Sequence, residues 1–184
     1  MMTADVRKTM QEKPEQAEKQ IAAVERMASE AQSEMRALLL YLRPTHIEGK
    51  KLKEGVEDLL KELTTKHNLA IAWKIEEITG LSKGVEDYLF RIIQEAISNT
   101  LRHAKASAIE LLLYKILDQV RLKIRDNGVG FLVDEKKTSS YGLRTMVERV
   151  NEIGGMIEIF SRPGKGTEIE VKVPLVQTND VKEG

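Results

Sequence analysis

Apolar residues recur near the start of this chain at a fixed interval. Ala17, Ile21, Val24, Ala28, Ala31, Met35, Leu38 and Leu42 follow one another in alternating steps of 4 and 3. This is a heptad repeat, and it predicts an amphipathic helix whose stripe stays turned toward a partner helix. Pro14 suits the first helical turn, where its missing N–H has no partner to lose. Arg43-Pro44 ends the helix, because the residue before a proline is pushed out of the α region. One helix alone leaves such a stripe bare. The expectation is a homodimer through residues 15–42, with Ala17, Ala28 and Ala31 allowing close approach; the other way to cover the stripe is a helix lying on its own core.

Residues 45–51 read as a linker. A second helix is predicted over 52–66, with Leu52, Val56, Leu59, Leu60 and Leu63 on one face, and a strand over 69–75, where Leu69, Ile71, Trp73 and Ile75 alternate with smaller or polar neighbours. A long helix over 82–104 opens on Ser82 as N-cap, with Glu86 and Asp87 near its positive end. Two hairpins flank a further helix. The first joins strands 107–116 and 120–126 near Asp118-Gln119; the second joins 156–161 and 167–173 through Pro163-Gly164-Lys165-Gly166. The helix between them covers 141–153, after a loop over 127–140. The order α β α β β α β β predicts an α+β fold, a two-layer α/β sandwich with a mixed sheet and helices on one face. The chain thus divides into a helical segment 1–44, an α/β domain 45–176 and a polar tail 177–184.

The 29 basic and 29 acidic residues cancel, which argues against a general nucleic-acid binder. The absence of cysteine excludes disulfides and cysteine-ligated zinc. The longest apolar run, Ala37-Leu38-Leu39-Leu40-Tyr41-Leu42, falls far short of the roughly 18 residues a membrane span needs. No apolar segment of a signal peptide precedes it. The expectation is a soluble, cytoplasmic piece without direct membrane contact, and the double start Met1-Met2 suggests that it is cut from something larger.

Two stretches carry chemistry. On the long helix, Glu95, Asn99, Arg102 and His103 share the side away from the stripe Val85, Leu89, Ile92, Ile93, Ala96, Ile97, Thr100 and Leu101. This is either an ordinary solvated face or a site. As a site, Asn99 offers a neutral oxygen of the kind magnesium takes beside phosphate. Glu95 can serve as a base or hold a metal-bound water, and Arg102 and His103 can meet phosphate. The second stretch is Asp126-Asn127-Gly128-Val129-Gly130-Phe131. Val120, Leu122 and Ile124 share one strand face, and Asp126 continues their phase, so its carboxylate should point inward. It either holds its own turn or accepts from an exocyclic amine such as that of adenine. Gly128 and Gly130 permit positive φ and close backbone approach to a ligand. Thr167 falls on the inward side of its strand and can join Asp126. Tyr141-Gly142-Leu143 opens a helix with bare N–H groups suited to phosphate.

In this combination and order, the segments resemble the ATP-binding domain shared by sensor histidine kinases and related ATPases of the gyrase and Hsp90 type. Glu95-x-x-x-Asn99-x-x-Arg102-His103 is similar to the first box of that family, Asp126 to Phe131 to the second, Tyr141-Gly142-Leu143 with Met146 and Arg149 to the third, and Gly164-x-Gly166-Thr167 to the last. Arg102-His103-Ala104 and Gly142 to Arg149 look like the subfamily whose response regulators carry a helix-turn-helix output domain. Met35 to Leu40 with Leu42-Arg43-Pro44 looks like the end of its dimerisation helix, and the nearest likeness is to cell-envelope-stress sensors of Gram-positive bacteria. The resemblance covers residues 14–175. It implies ATP and Mg2+ as ligands, with Asn99 on magnesium, Glu95 as activating base, Asp126 on the adenine amine, Thr167 behind it, and 127–141 as a lid. It also implies a two-component phosphorelay, a dimer and a response regulator as partner. An anti-sigma serine kinase, a gyrase-like ATPase and a dimerisation module with an inactive ATP site are the alternatives.

The family's phosphoacceptor is a histidine followed by an acidic residue, on the first dimerisation helix. Here His46 precedes Ile47, His67 precedes Asn68 and His103 precedes Ala104, and none lies before the heptad helix. Apart from residues 1–12, that first helix is missing. The expectation is a chain with no phosphoacceptor, unable to phosphorylate itself.

Overall fold

The computed structural model describes residues 14–41, 50–66, 69–133 and 141–175. Most of the expected linker, the tail, His46, His67 and the second part of the expected lid lie outside them. In chain order the elements are α1 (Pro14–Tyr41), α2 (Leu52–Lys66), β1 (Ala70–Ile75) and α3 (Lys83–Asn99), which runs into a π-helical turn (Thr100–Ala104). Then come β2 (Ala108–Ile116), β3 (Gln119–Asp126), α4 (Tyr141–Glu152), β4 (Met156–Ser161) and β5 (Thr167–Pro174). Ser82 caps α3 as expected, its hydroxyl accepting from the Val85 amide at 3.3 Å. Two details differ from the sequence reading. The first hairpin turns at Leu117-Asp118, with Leu117 at φ 53°. The long helix does not stay α to Ala104: its last five residues widen into the π turn, which ends on Lys105 at φ 49°.

The five strands form one mixed sheet in the order β1-β2-β3-β5-β4. Only β1 and β2 run parallel; the other pairs are antiparallel. The register sets the inward-facing residues in rows across the sheet. Leu113, Leu122, Val171 and Ile157 make one row, and Leu111, Ile124, Ile169 and Ile159 the next. Helices α2, α3 and α4 cover these rows, and Leu59, Leu60, Leu89, Ile92, Ile93, Ile97 and Met146 are fully buried against them. The opposite face carries ion pairs between neighbouring strands: Arg121 with Glu170 at 3.3 Å, Lys123 with Glu168 at 2.8 Å and Lys172 with Glu158 at 2.5 Å. Half-exposed pairs of this sort contribute little stability, but they fit the strand neighbours to water.

The third row, at the end of the sheet, breaks the apolar pattern. It reads Ile109, Asp126, Thr167, Ser161. Three polar side chains in a line on the buried face of a sheet need hydrogen-bond partners or a ligand, and the site is built around them.

Helix α1 packs on α3 and the π turn. Ala17, the first member of the heptad stripe, is 1% exposed there, whereas Ala28, Ala31 and Met35 are exposed, Met35 to 66%. The stripe is therefore divided. Its beginning lies on the chain's own core, whereas Ile21, Ala28, Ala31 and Met35 further along it are exposed and Val24 is half-buried.

Candidate functional site

The site lies between α3 with its π turn, the polar row of the sheet, the loop 127–132 and the start of α4. A cavity there is lined by Ala96, Asn99, Thr100, His103, Ile124, Asp126 and Thr167, and further by Ala104, Val129, Gly130, Phe131, Leu143 and Ile169. Most of the lining residues are apolar; Asn99, Thr100, His103, Asp126 and Thr167 are the polar ones.

Asp126 is 7% exposed. Its Oδ1 accepts from the Gly128 amide at 2.7 Å, so the carboxylate does hold its own turn. Its Oδ2 lies 3.5 Å from the Thr100 hydroxyl, at the limit of a hydrogen bond. That hydroxyl is better placed to donate to the Ala96 carbonyl at 3.1 Å. Oδ2 therefore keeps acceptor capacity toward the cavity. The turn reading of Asp126 is met by Oδ1, and Oδ2 is left with room to accept at the cavity. Thr167 stands opposite it across the β3–β5 pair.

The loop after Asp126 is held by the protein at nearly every polar group. Asn127 Oδ1 accepts from the Ser107 and Ala108 amides at 2.9 Å each, and its Nδ2 donates to Ser107 Oγ at 2.8 Å. The Val129 amide donates to the Ala104 carbonyl at 2.7 Å, and the Val129 carbonyl accepts from the Gly164 amide at 2.6 Å. The first of these bonds joins the two sequence stretches directly. It also gives Gly128 a partner: a Cβ there would meet the Ala104 carbonyl oxygen at 2.3 Å, so the glycine makes room for the π turn, and it is not among the residues lining the cavity. Gly130 does line it, has φ +61°, and would set a Cβ 2.0 Å from the Arg162 carbonyl oxygen.

Asn99 Nδ2 donates to Glu95 Oε1 at 3.1 Å. With its nitrogen so engaged, Asn99 turns its Oδ1 outward, where Arg102 approaches it at 3.5 Å. Arg102 also lies 3.7 Å from Glu95 Oε1. Glu95 is not on a solvated face, contrary to one of the two sequence readings: it is 5% exposed. The reason is α4, whose first turn is seated on it through Gly142. Arg102 and His103 are exposed. Of the predicted site residues, the cavity brings together Asn99, His103, Asp126, Gly130, Leu143 and Thr167; Glu95 and Arg102 join it through Asn99, and Gly142 through Glu95.

Two polar contributors carry no functional signal in the sequence alone. Thr100 belongs to the sheet-facing stripe, but next to Asp126. Ser161 ends a hairpin strand whose register sets it opposite Thr167. Chemically, the cavity combines a largely apolar lining with an Asp126 oxygen free to accept, and the Asn99 amide, the buried Glu95 carboxylate, Arg102 and His103 lie together on α3 and its π turn. It fits an aromatic ring bearing an N–H donor, joined to an anionic tail, and the outward Asn99 oxygen is of the hard type that magnesium accepts.

Comparison with known proteins points the same way. A family profile described as histidine kinase-, DNA gyrase B-, and HSP90-like ATPase matches residues 84–177, and a second, described as histidine kinase, matches residues 1–47. The sensor histidine kinase LiaS of Bacillus subtilis is 54% identical over 175 residues, which make up 95% of this chain and 48% of that protein. The sensor protein VraS of Staphylococcus haemolyticus is 46% identical over 180 residues, 98% of this chain and 51% of that protein. The chain spans about half the length of the curated relatives it matches. Among solved structures, the histidine kinase domain from the Erythrobacter litoralis blue-light activated histidine kinase superposes with a TM-score of 0.62 at 17% identity, over 80% of this chain and 76% of that one. The mycobacterial sensor histidine kinase MprB gives 0.56 at 17% identity, over 68% and 95% of the two chains. At these identities the structural likeness is one of fold.

Proposed function

The chain belongs to the histidine kinase-, DNA gyrase B- and HSP90-like ATPases, among sensor histidine kinases of the LiaS and VraS type, and from that premise we propose that it is the ATP-binding catalytic part of a two-component sensor kinase that moves the γ-phosphoryl group of ATP to a histidine. The observation that carries the proposal is the Asp126 carboxylate. It is buried in the lining of a largely apolar cavity, with Oδ1 bonded to its own turn and Oδ2 left to accept. A purine amino group answers that oxygen, and the walls of Ile124, Ile169, Leu143 and Ala96 answer the ring.

In this reading Thr167 lies behind Asp126 on the base. Gly130 keeps the loop close to it, and Gly128 seats the loop on the π turn. The amides at Tyr141, Gly142 and Leu143, at the positive end of α4, receive phosphate together with Arg102 and His103. Asn99 Oδ1 would hold a magnesium ion, which would supply charge neutralisation at the phosphate oxygens. Glu95 acts as base for the acceptor imidazole; its buried carboxylate, oriented by Asn99 and Arg102, supports that role. Phosphoryl transfer depends chiefly on such positioning.

Residues 1–44 serve as part of a dimerisation segment, 45–176 as the catalytic domain and 177–184 as a tail. The partners are a second copy through 15–42, by the part of the stripe beyond Ala17 that the chain's own core leaves uncovered, and a response regulator with a helix-turn-helix output domain. Among the described residues no helix is long and apolar enough to cross a membrane; as the catalytic part of a sensor kinase, this portion belongs on the cytoplasmic side. With no histidine followed by an acidic residue, the chain does not label itself; it phosphorylates an acceptor helix supplied in trans. Calorimetry with ATP, with and without magnesium, tests the proposal. Magnesium-dependent binding is expected, and absence of heat at millimolar ATP would leave a dimerisation module with a dead site. Histidine labelling of the chain alone by γ-labelled ATP would refute the missing acceptor.

A further inference from the structure

Three groups meet on the hydroxyl of Ser161, which stands outside the cavity at the end of the polar row. The Phe131 amide donates to its Oγ at 3.0 Å. The Gly166 carbonyl lies 2.9 Å away, and Thr167 Oγ1 lies 3.1 Å away. A serine hydroxyl has one proton and two lone pairs, and this determines the direction of every bond. The Ser161 proton goes to the Gly166 carbonyl, since without it two lone pairs would face each other at 2.9 Å. One Ser161 lone pair takes the Phe131 N–H. The other takes the Thr167 proton. Thr167 is thereby committed as a donor to Ser161, and only the lone pairs of its Oγ1 are left for the cavity.

We infer that Ser161 sets the base preference of the cavity: by holding the Thr167 proton away from the ligand, it makes Asp126 and Thr167 a pair of acceptors, matched to an exocyclic amino group and mismatched to a ring oxo group. The inference rests on the nucleotide reading of the site. An amino group brings two N–H bonds to two acceptors. An oxo group at the same place brings lone pairs against both, and a site left with unpaired buried acceptors rejects it. Removing the Ser161 hydroxyl releases the Thr167 hydroxyl to turn and donate. Discrimination then narrows, although Asp126 still repels the oxo group. Ser161 is a positioning residue, acting on the ligand through Thr167.

The test compares ATP with ITP, in which an oxo group replaces the amino group of the base. Affinities of both are measured by calorimetry, with magnesium, on the full chain and on its Ser161→Ala and Ser161→Thr variants. The wild type is expected to favour ATP by roughly tenfold or more. Ser161→Ala should narrow that ratio about three- to tenfold, and Ser161→Thr, which keeps a hydroxyl, should retain it. A purely structural role for Ser161 would weaken both ligands alike, so an unchanged ratio in Ser161→Ala overturns the inference. If Ser161→Ala does not fold, Ser161→Cys takes its place: its weakly accepting thiol should narrow the ratio part of the way, and an unchanged ratio overturns the inference equally. Failure of the wild type to bind ATP would instead overturn the nucleotide reading itself, so the two failures are distinct.

Discussion

A Cβ on Gly142 would stand 2.1 Å from Oε1 of Glu95. The first turn of α4 is thus pressed onto the carboxylate of α3, with no space for a side chain between them. Whatever shifts α4 also shifts the group proposed as base. Gly142→Ala must push the Glu95 carboxylate out of its hydrogen bond with Asn99. The obstructing atom is the end of a side chain rather than backbone, so the effect should fall on chemistry more than on folding. We expect the melting temperature to change by about 4 °C or less, while phosphoryl transfer to an acceptor helix added in trans drops about tenfold or more. Transfer at the wild-type rate would remove Glu95 from the mechanism.

Gly130 and Gly166 should behave in the opposite way. Both have positive φ, +61° and +74°, and a Cβ on either would lie 2.0 Å from a backbone carbonyl oxygen, that of Arg162 or of Asp126. Backbone cannot yield as a side-chain tip does. Alanine at either position combines left-handed strain with a main-chain clash and should destabilise by about 3 kcal/mol or more. Urea denaturation of each variant measures the loss directly; a change under about 1 kcal/mol would mean that the loop has a relaxed alternative.

Asp126→Asn separates the two duties of that side chain. The amide oxygen can still accept from Gly128, so the turn should persist. The amide nitrogen, however, would meet the proposed amino group donor against donor. ATP affinity should fall roughly 10- to 100-fold while thermal stability stays near that of the wild type. Equal ATP affinity in the variant would refute the assignment of Asp126 to the base.

Tyr88 on α3 donates its phenolic hydroxyl to Glu152 at the end of α4. That hydrogen bond, and next the negative charge of Glu152, raise the Tyr88 pKa above its ordinary 10.0. Because the folded value is the higher one, the contribution is complete below the unfolded pKa and disappears as pH climbs through the folded value. In an NMR titration of the tyrosine rings, Tyr88 should therefore ionise later than a free tyrosine, and Glu152→Leu should bring it back. An unshifted Tyr88 would mean that the α3–α4 tie does not persist in solution.

What could be read from the sequence, and what could not, divides along the range of the interaction. Leu52, Val56, Leu59, Leu60 and Leu63 recur at helical spacing, and all five are buried in α2. Val120, Leu122, Ile124 and Asp126 alternate, and all four point into the core. A period is a local property, so it is legible in one chain. The burial of Glu95 is not local: it shares a helix side with the exposed Arg102 and is covered only because α4 arrives later in the chain. Gly128 announced a close approach but not its partner, which proved to be Ala104. The π turn spans five residues, too few for any periodicity to reveal. Ser161 lay within reach through the hairpin register, but its bond to Phe131 depends on a loop from the other sequence stretch.

The strand order has a consequence for how the protein is made. β2 and β3 are neighbours in the chain as well as in the sheet, and can close as a hairpin early. Thr167 reaches Asp126 only when β5, following α4 and β4 in the chain, inserts between β3 and β4. That pairing must first overcome the entropy of a long loop closure. The two groups proposed to read the base thus come together only once β5 has inserted. A nucleotide that needs both has no hold on the half-formed sheet, so by mass action it draws the chain toward the finished one.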